Sequence, residues 1–216
     1  MTRVKICGLS RPADIAAVNA ALPDYIGFVF APSKRQVTPQ QAARLRTGLD
    51  DRIQVVGVFV DADPQEVEAL ATTGVIDIAQ LHGASPDAVA AVAVTLRANS
   101  ALPLIVAQPV VGEISSSASP ADYLLYDYAS PGSGKTFDWQ LLAGRAGNKP
   151  FFLAGGINLE NIDAALALQP PAFCIDISSG AETDGKKDAE KIAALVGRVR
   201  AWGDAAPSGP NERSLA

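Results

Sequence analysis

Short runs rich in Val, Ile and Phe recur along the chain, and between most of them lies an Ala- and Leu-rich stretch with helical periodicity. The apolar runs have the length and the β-branched content of buried strands. The sequence therefore predicts eight strands, at Val4–Cys7, Tyr25–Phe30, Ile53–Val60, Ile76–Leu81, Leu102–Gln108, Tyr123–Asp127, Phe151–Ala154 and Phe173–Ile177.

The stretches between these strands predict amphipathic helices. Several have Pro in the first turn, where its missing N–H is not needed for a helical hydrogen bond. The helical pattern is less clear after the fifth and sixth strands. We expect helices at Ala13–Ala21, Pro39–Leu49, Pro64–Thr73, Pro86–Arg97, Leu159–Leu168 and Ala189–Trp202.

This alternation of strands and helices predicts an α/β fold. Successive strand starts lie about 24 residues apart, which fits one strand, one helix and two short loops, and eight such units indicate a single (β/α)8 TIM barrel. A doubly wound open sheet is the alternative, but the turn after its first strand would carry a dinucleotide fingerprint, and here it reads Cys7-Gly8-Leu9-Ser10. We expect residues 1–204 to form the barrel and residues 205–216, which are polar and contain Pro and Gly, to form a flexible tail.

Composition narrows the class of protein. The 216 residues are 48% hydrophobic and carry a net charge of -5, so a large core is expected and the broad basic surface of a nucleic-acid-binding protein is not. The two cysteines lie far apart in apolar runs, as in reduced cytosolic proteins. We expect no signal peptide, because the first residues already alternate as a strand, and no membrane span, because no apolar run reaches the roughly 18 residues required. These features predict a cytoplasmic protein.

Candidate chemistry is sought at the carboxyl ends of the strands, where barrels of this kind place their active sites. Alternation along the first strand puts Lys5 and Cys7 on one face, which suits a polar pair inside the barrel with Cys7 at its mouth. A free cysteine can equally be a small buried apolar residue, and we interpret Cys174 in that way. Five predicted strands end in polar or small residues, at Cys7-Gly8, Gln80-Leu81-His82-Gly83, Asp127, Gly155-Gly156 and Asp176-Ile177-Ser178-Ser179-Gly180.

Two small-residue loops predict a phosphate site. Gly155-Gly156-Ile157-Asn158 precedes a predicted helix and Ser178-Ser179-Gly180 follows the last strand, so both can direct backbone N–H groups at one anion. Gly-Gly alone could be only a tight turn. The segment Gly132-Ser133-Gly134-Lys135-Thr136 resembles the end of a nucleotide-binding P-loop but fails its spacing, because Ala129 stands where the first Gly is required. A small phosphorylated molecule is therefore the expected ligand.

Two further polar residues have open roles. Arg35, after the second strand, could bind a substrate carboxylate with two hydrogen bonds or could simply be solvated. His82 is the only histidine and could bind a ligand, act in catalysis or make a structural hydrogen bond. One His and two distant Cys do not predict a zinc site, so acid–base chemistry is left to carboxylates and thiols.

Taken together, these motifs resemble the phosphoribosylanthranilate isomerase family over nearly the whole chain. Each segment is ambiguous alone, but eight in the family's order make coincidence implausible. They are Lys5-Ile6-Cys7-Gly8, Gly27-Phe28-Val29-Phe30, Ser33-Lys34-Arg35, Val56-Gly57-Val58-Phe59-Val60, Gln80-Leu81-His82-Gly83, Gly132-Ser133-Gly134-Lys135-Thr136-Phe137-Asp138-Trp139, Gly155-Gly156-Ile157-Asn158 and Asp176-Ile177-Ser178-Ser179-Gly180.

The resemblance implies an enzyme of tryptophan biosynthesis that catalyses an Amadori rearrangement, with Cys7 as general base and Asp127 as general acid. Asp127 must then keep its proton while Cys7 loses one, the reverse of the order of their reference pKa values. Burial could raise the pKa of Asp127, and a nearby positive charge such as Lys5 could lower that of Cys7.

The resemblance also implies how the substrate binds. Arg35 is expected to bind the anthranilate carboxylate, and the aromatic ring is expected near strands 1 and 2. No cofactor, metal, nucleic-acid or membrane partner is implied, and we expect a monomer or homodimer. The remaining expected site residues are Gln80 and His82 for substrate, and Gly155, Gly156, Ser178, Ser179 and Gly180 for phosphate.

Two residues depart from the pattern of the family that the chain resembles. Pro131 stands where relatives usually have a flexible Gly, which bears on loop mobility, and Tyr126 replaces an aliphatic residue but should face outward.

Two other functions are alternatives to this one. The histidine-pathway isomerase performs the same rearrangement on a larger substrate, although it is expected to use a carboxylate base instead of Cys7. A phosphate-binding protein without catalysis would not need Cys7 or Asp127.

Overall fold

The computed structural model describes residues 1–110, 114, 119–128, 136–144 and 149–205. Eight parallel strands pair in chain order, and the eighth pairs with the first, so the sheet closes into a barrel. The predicted barrel is confirmed. Its strands are β1 (Arg3–Cys7), β2 (Tyr25–Val29), β3 (Gln54–Val60), β4 (Ile78–His82), β5 (Leu104–Val110), β6 (Tyr123–Tyr128), β7 (Phe151–Leu153) and β8 (Cys174–Ile177).

The helices lie outside this barrel and are α1 (Pro12–Ala21), α2 (Pro39–Arg46), α3 (Pro64–Thr72), α4 (Pro86–Asn99), α5 (Ile162–Leu166) and α6 (Ala189–Ala205). The first four each have Pro at the start. The side chains of Thr38, Asp63 and Ser85 accept backbone N–H groups at the starts of α2, α3 and α4, which satisfies donors that the helix leaves free. None of the described helices has both the length and the apolar character needed to cross a bilayer.

Strand alternation sorts the side chains into two apolar layers. Val4, Ile6 and Tyr126 pack in the layer between the barrel and the helices, so the predicted outward orientation of Tyr126 is confirmed. The barrel interior is filled by Cys7, Tyr25, Val56, Val58, Ile78, Ile105, Leu125, Phe152, Ala154 and Cys174. Lys5 is fully buried and pairs with Asp176 across β1 and β8, which confirms its predicted inward orientation.

The amino ends of the strands carry an aromatic cluster. The ring of Phe152 contacts those of Tyr25, Tyr123 and Phe173 at centroid distances of 5.6 to 5.7 Å. The guanidinium of Arg3 lies 4.8 Å from the centre of the Phe173 ring, which adds a cation–π contact. This cluster closes the end of the barrel opposite the predicted active site.

Several predicted boundaries were wrong. The strand predicted from Ile76 begins at Ile78, because the N–H groups of Val75 and Ile76 bond to Leu70 at the end of α3 while their side chains are still buried. Apolar periodicity cannot distinguish such a buried turn from a strand. The fifth strand likewise lies two residues later than predicted, at Leu104–Val110.

The helix predicted at Leu159–Leu168 is limited to Ile162–Leu166. The side chain of Asn161 accepts the N–H of Asn158, and that of Asn158 accepts the N–H of Glu160, so local turns replace the first helical turn. A 3-10 helix, Trp139–Gly144, lies between β6 and β7, and the described residues between β5 and β6 contain no helix. Ala205 ends α6, and the rest of the predicted tail lies outside the described residues.

Candidate active site

A cavity of about 400 Å³ opens at the carboxyl ends of the strands, where the sequence placed the active site. It is lined by all the predicted site residues except Gly180, namely Cys7, Arg35, Gln80, His82, Asp127, Gly155, Gly156, Ser178 and Ser179. Residues 129–135, which include Pro131 and all of the segment Gly132-Ser133-Gly134-Lys135-Thr136 except Thr136, lie outside the described residues.

Cys7 is the last residue of β1 and faces Gly27 on β2. A Cβ atom at Gly27 would lie 2.7 Å from the Cys7 Sγ, so the absence of a side chain there gives the thiol its space. Burial raises the pKa of Cys7 above its usual value, and the ammonium groups of Lys5 and Lys187 only partly oppose this effect. Positive charge therefore lies beside Cys7, as expected, but burial outweighs it.

Asp127 lies on β6, lines the cavity and is largely buried. Its Oδ1 accepts the backbone N–H of Tyr128 at 2.7 Å. Burial raises the pKa of Asp127 to about 6, with a further contribution from Asp176, although the Tyr128 N–H and Lys5 favour the carboxylate. The protonated form that a general acid needs is therefore well populated in mildly acidic solution.

Lys5 occupies the barrel interior below these two residues. Its Nζ donates to Asp176 Oδ2 at 2.7 Å and to Gln80 Oε1 at 3.0 Å. Burial alone would lower the pKa of Lys5, but the charge of Asp176 and the Cys7 sulfur outweigh it and hold this pKa above its usual value. The other carboxylate oxygen of Asp176, Oδ1, is buried and accepts no hydrogen bond from any described residue.

Gln80 and His82 are two residues apart on β4, so both side chains lie on the same face of the strand and line the cavity. The Gln80 side chain is buried, and its Nε2 lies 2.6 Å from Nε2 of His82. Burial, together with the charge of Lys5, lowers the pKa of His82 to about 4, so the imidazole is neutral at pH 7.

Arg35 is held by a carboxylate that the sequence analysis missed. Its Nε and Nη2 donate to the two carboxylate oxygens of Glu182 at 2.6 and 2.9 Å. The Nζ of Lys187 donates to the same Glu182 at 2.6 Å and to the carbonyl of Ser178 at 2.9 Å. Burial opposes ionisation of Glu182, but the hydrogen bonds from Arg35 and Lys187 lower its pKa to about 2.

The two predicted phosphate loops meet at the rim. Gly155 and Gly156 have φ of 88° and 63°, a region that favours glycine, and their N–H groups donate to no atom in the described part of the chain. A Cβ atom at Gly180 would lie 2.0 Å from the carbonyl oxygen of Ile157, so only glycine allows this approach of the loops. The helix that was expected to follow the Gly155-Gly156 loop begins only at Ile162 and has five residues.

The interpretation of Cys174 as a buried apolar residue is confirmed, but no role was predicted for Asp176, Glu182 or Lys187. Cys174 is buried in the barrel interior, as expected, and burial raises its pKa well above the usual value. Asp176 was included in the predicted rim of the barrel but given no role, and it lies two residues after Cys174 on the same face of β8. Glu182 and Lys187 were missed because they lie in a short hairpin, β9 (Glu182–Thr183) and β10 (Lys186–Lys187), whose strands are too short for an alternation signal.

Comparison with known proteins identifies relatives over nearly the whole chain. The sequence profile of the N-(5'-phosphoribosyl)anthranilate (PRA) isomerase family matches residues 4–198. The N-(5'-phosphoribosyl)anthranilate isomerase of Endomicrobium trichonymphae is 43% identical over 204 residues, which cover 93% of this chain and 99% of the relative.

Solved structures agree with this match. The crystal structure of phosphoribosyl anthranilate isomerase from Thermus thermophilus has a TM-score of 0.80 and 35% identity, covering 93% of this chain and 99% of that one. A phosphoribosyl anthranilate isomerase solved in complex with reduced 1-(o-carboxyphenylamino)-1-deoxyribulose 5-phosphate has a TM-score of 0.75 and 28% identity, covering 93% of this chain and 100% of that one.

Proposed function

The chain belongs to the N-(5'-phosphoribosyl)anthranilate isomerase family, and from this premise we propose that Asp127 and Cys7 are the general acid and the general base of its reaction. The reaction is the Amadori rearrangement of N-(5-phosphoribosyl)anthranilate to 1-(2-carboxyphenylamino)-1-deoxyribulose 5-phosphate, a step of tryptophan biosynthesis. Both proposed residues line the same cavity.

Asp127 acts first, by protonating the ring oxygen of the furanose. The bond between this oxygen and C1 breaks, and the nitrogen lone pair forms a C1=N double bond, which leaves an open-chain protonated Schiff base. The raised pKa of Asp127, about 6, supports this role, because a carboxyl group with an ordinary pKa would rarely carry the proton at neutral pH.

Cys7 acts second, by removing the proton from C2 as a thiolate. The electrons of the C2–H bond form a C1=C2 double bond and neutralise the nitrogen, which gives an enolamine. Tautomerisation then moves one proton overall from the C2 hydroxyl to C1, so the product is an isomer of the substrate and each step is a proton transfer. We propose that no metal or cofactor takes part.

The remaining site residues bind the substrate. The N–H groups of the Gly155-Gly156 loop and the Ser178-Ser179-Gly180 loop hold the phosphate, and Nη1 of Arg35, which bonds to no described residue, reaches the anthranilate carboxylate. Apolar lining at Val29, Val58 and Val60 on β2 and β3 suits the aromatic ring. Gln80 and His82, on β4, are the remaining substrate-binding residues, and Gln80 acts through the imidazole of His82, which its amide group contacts.

The observation that carries the mechanism is that a buried thiol and a carboxyl of raised pKa share one cavity with a glycine-lined anion site. We further propose that the enzyme is cytoplasmic and acts as a monomer or homodimer on its small phosphorylated substrate, without nucleic acid or membrane. Light scattering of the purified protein determines the oligomeric state.

Substrate identity is tested by offering two phosphosugar amines side by side. Enzymatically generated phosphoribosylanthranilate should lose its anthranilate-type fluorescence when the protein is added, and the larger substrate of the histidine-pathway isomerase should not be converted. Preference for the larger substrate would overturn the proposal. Binding of phosphoribosylanthranilate without conversion would indicate a phosphate-binding protein.

A further inference from the structure

Four side chains form a continuous hydrogen-bonded chain across the barrel interior. Asp176 on β8 accepts from Lys5 on β1 at 2.7 Å, and Lys5 donates to Gln80 on β4 at 3.0 Å. The amide nitrogen of Gln80 lies 2.6 Å from Nε2 of His82. We refer to Asp176, Lys5, Gln80 and His82 as the interior chain.

Elementary donor and acceptor chemistry gives the interior chain a direction. A lysine ammonium can only donate, so the Gln80 atom that faces Lys5 has to be the amide oxygen. The Gln80 atom that faces His82 is then the amide nitrogen, which can also only donate. Nε2 of His82 must accept this hydrogen bond, and the single proton of a neutral imidazole is left on Nδ1.

The Nδ1 atom of His82, unlike Nε2, has no hydrogen-bond partner among the described residues. The side chain is only half-buried and lines the cavity. A second proton on the ring is disfavoured, because burial and the nearby charge of Lys5 hold the pKa of His82 at about 4. The ring therefore offers one neutral N–H donor to the cavity.

We propose that the interior chain fixes His82 as the Nδ1–H tautomer and so makes it a neutral donor that recognises an acceptor oxygen of the substrate. Lys5 and Gln80 are positioning residues in this scheme, because they act on the substrate through His82. The identity of the substrate rests on the proposed function. His82 lies on β4, whereas the phosphate loops follow β7 and β8, so the oxygen belongs to the anthranilate carboxylate or to a ribose hydroxyl.

The tautomer can be read directly by NMR, because His82 is the only histidine of the protein. In a long-range ¹H–¹⁵N correlation spectrum, Nε2 is the ring nitrogen that couples strongly to both carbon-bound ring protons. We expect Nε2 at the chemical shift of an unprotonated nitrogen and Nδ1 at that of a protonated one at pH 7. A protonated Nε2 in the wild-type protein would overturn the proposal.

A substitution that reverses the direction of hydrogen bonding in the interior chain provides a second test. In Gln80→Glu the carboxylate can only accept, from Lys5 on one side and from His82 on the other, so the ring proton should move to Nε2. Gln80→Met removes the hydrogen bonds from position 80 to Lys5 and His82 without reversing their direction, so it should give a mixture of the two tautomers. If Nε2 stays unprotonated in a folded Gln80→Glu protein, Gln80 does not set the tautomer.

Ligand titration shows which oxygen is recognised. Anthranilate and ribose 5-phosphate are added separately, and reduced 1-(o-carboxyphenylamino)-1-deoxyribulose 5-phosphate serves as the complete product analogue. A shift of the Nδ1 signal with anthranilate assigns the carboxylate, and a shift with ribose 5-phosphate assigns a hydroxyl. If the complete analogue binds and Nδ1 does not shift, His82 does not recognise the substrate.

Kinetics separate recognition from a structural role. An Asn amide places an N–H near the position of Nδ1, so His82→Asn should keep KM near the wild-type value. His82→Leu should raise KM about three- to tenfold, the worth of one hydrogen bond, with a smaller effect on kcat. Equal KM values in the two variants would contradict the proposal. The NMR result needs no turnover, so it stands or fails separately from the proposed reaction.

Discussion

In the proposed mechanism, Cys7 and Asp127 have to hold their protons in the order opposite to that of a free thiol and a free carboxyl group. Burial raises both pKa values, which helps Asp127 remain an acid and hinders Cys7 from becoming a base. Lys5 and Lys187 favour the thiolate and limit this effect. The form with a protonated Asp127 and an ionised Cys7 is therefore a minor species, because Asp127 ionises before Cys7 as the pH rises.

The order of these ionisations predicts the pH dependence of kcat/KM. The pair is active when it has lost one proton in total, so kcat/KM should rise with pH up to about 6, where Asp127 titrates, and stay level until Cys7 titrates. In Asp127→Asn the residual activity should keep rising toward the pKa of the thiol. A wild-type limb near the ordinary carboxyl pKa of about 4, unchanged in the variant, would contradict this assignment.

Strand alternation predicted individual side chains well where a strand was clear. Lys5, Cys7 and Tyr126 all face the sides that the two-residue period gave them. The partner of Arg35 could not be predicted in this way, because Glu182 is 147 residues away in the chain and follows the last barrel strand. Contacts of this kind depend on how loops fold back, which local patterns do not encode.

Gly27 on β2 has no side chain, and this leaves the space that the Cys7 thiol occupies. The sulfur of Cys7 occupies the space above Gly27, so Gly27→Ala would force the thiol to move. Because small displacements of reacting groups are costly, we expect kcat to fall by about 10²-fold, with the protein still folded. The measurement is steady-state kinetics beside circular dichroism.

Gly197→Ala is the matched control for this substitution, since a Cβ at Gly197 in α6 meets no atom within 4 Å. It should leave kcat unchanged and stabilise the helix by about 0.5–1 kcal/mol. Normal turnover in Gly27→Ala would show that the thiol has another position from which it can act.

The β9–β10 hairpin carries Glu182, which holds Arg35 in place. Arg35→Ala should mainly raise KM, and Glu182→Gln should do the same by about 10- to 100-fold, because it removes charged hydrogen bonds that orient the guanidinium. Combining the two substitutions should cost less than the sum of the separate effects, since both act on one interaction. Glu190→Gln, an exposed substitution on α6, serves as the control.

Additive effects in that double-mutant cycle would mean that Glu182 does not act through Arg35. The expected effect is on KM and not on kcat, because neither residue donates or accepts a proton in the proposed steps.

Helices and strands were predictable where period, length and Pro agreed, as in α1 to α4. The prediction failed at α5, where Asn158 and Asn161 bond to nearby backbone groups and hold turns instead of a first helical turn. It also failed at Ile76, where a buried turn has the same apolar character as a strand. The error at α5 arises because local side-chain hydrogen bonds leave no periodic signal in the sequence. The error at Ile76 arises because buried residues in a turn are as apolar as those in a strand.

At the scale of the whole molecule, the two ends of the barrel have different tasks. The aromatic cluster around Phe152 fills the amino end, and the reactive residues line the carboxyl end. We predict that Phe152→Ala lowers the free energy of unfolding by about 3–5 kcal/mol, measured by urea denaturation, because it leaves a cavity in the interior. Its KM should stay close to the wild-type value in the folded protein.

Val94→Ala provides the reference for this substitution, because Val94 is 69% exposed on α4. We expect it to change the free energy of unfolding by less than about 0.5 kcal/mol. A Phe152→Ala protein of wild-type stability would mean that the cluster does not contribute to holding the barrel closed.

The barrel itself was predictable because its strand spacing repeats along the entire chain. The active-site end was predictable as well, since parallel strands in a barrel bring their carboxyl ends together. The sequence could not give the interior chain from Asp176 to His82, because it joins strands that are neighbours or opposites only after the barrel has closed.

The proposed reaction depends on the thiol of Cys7, and this dependence is measured by the conversion of phosphoribosylanthranilate. Loss of anthranilate-type fluorescence is followed with the wild-type protein, with Cys7→Ala, and with Cys174→Ala, which removes the other buried thiol. We expect rapid conversion by the wild type and by Cys174→Ala, and a rate about 10²- to 10⁴-fold lower for Cys7→Ala. Conversion by Cys7→Ala at the wild-type rate would show that the reaction does not depend on this thiol.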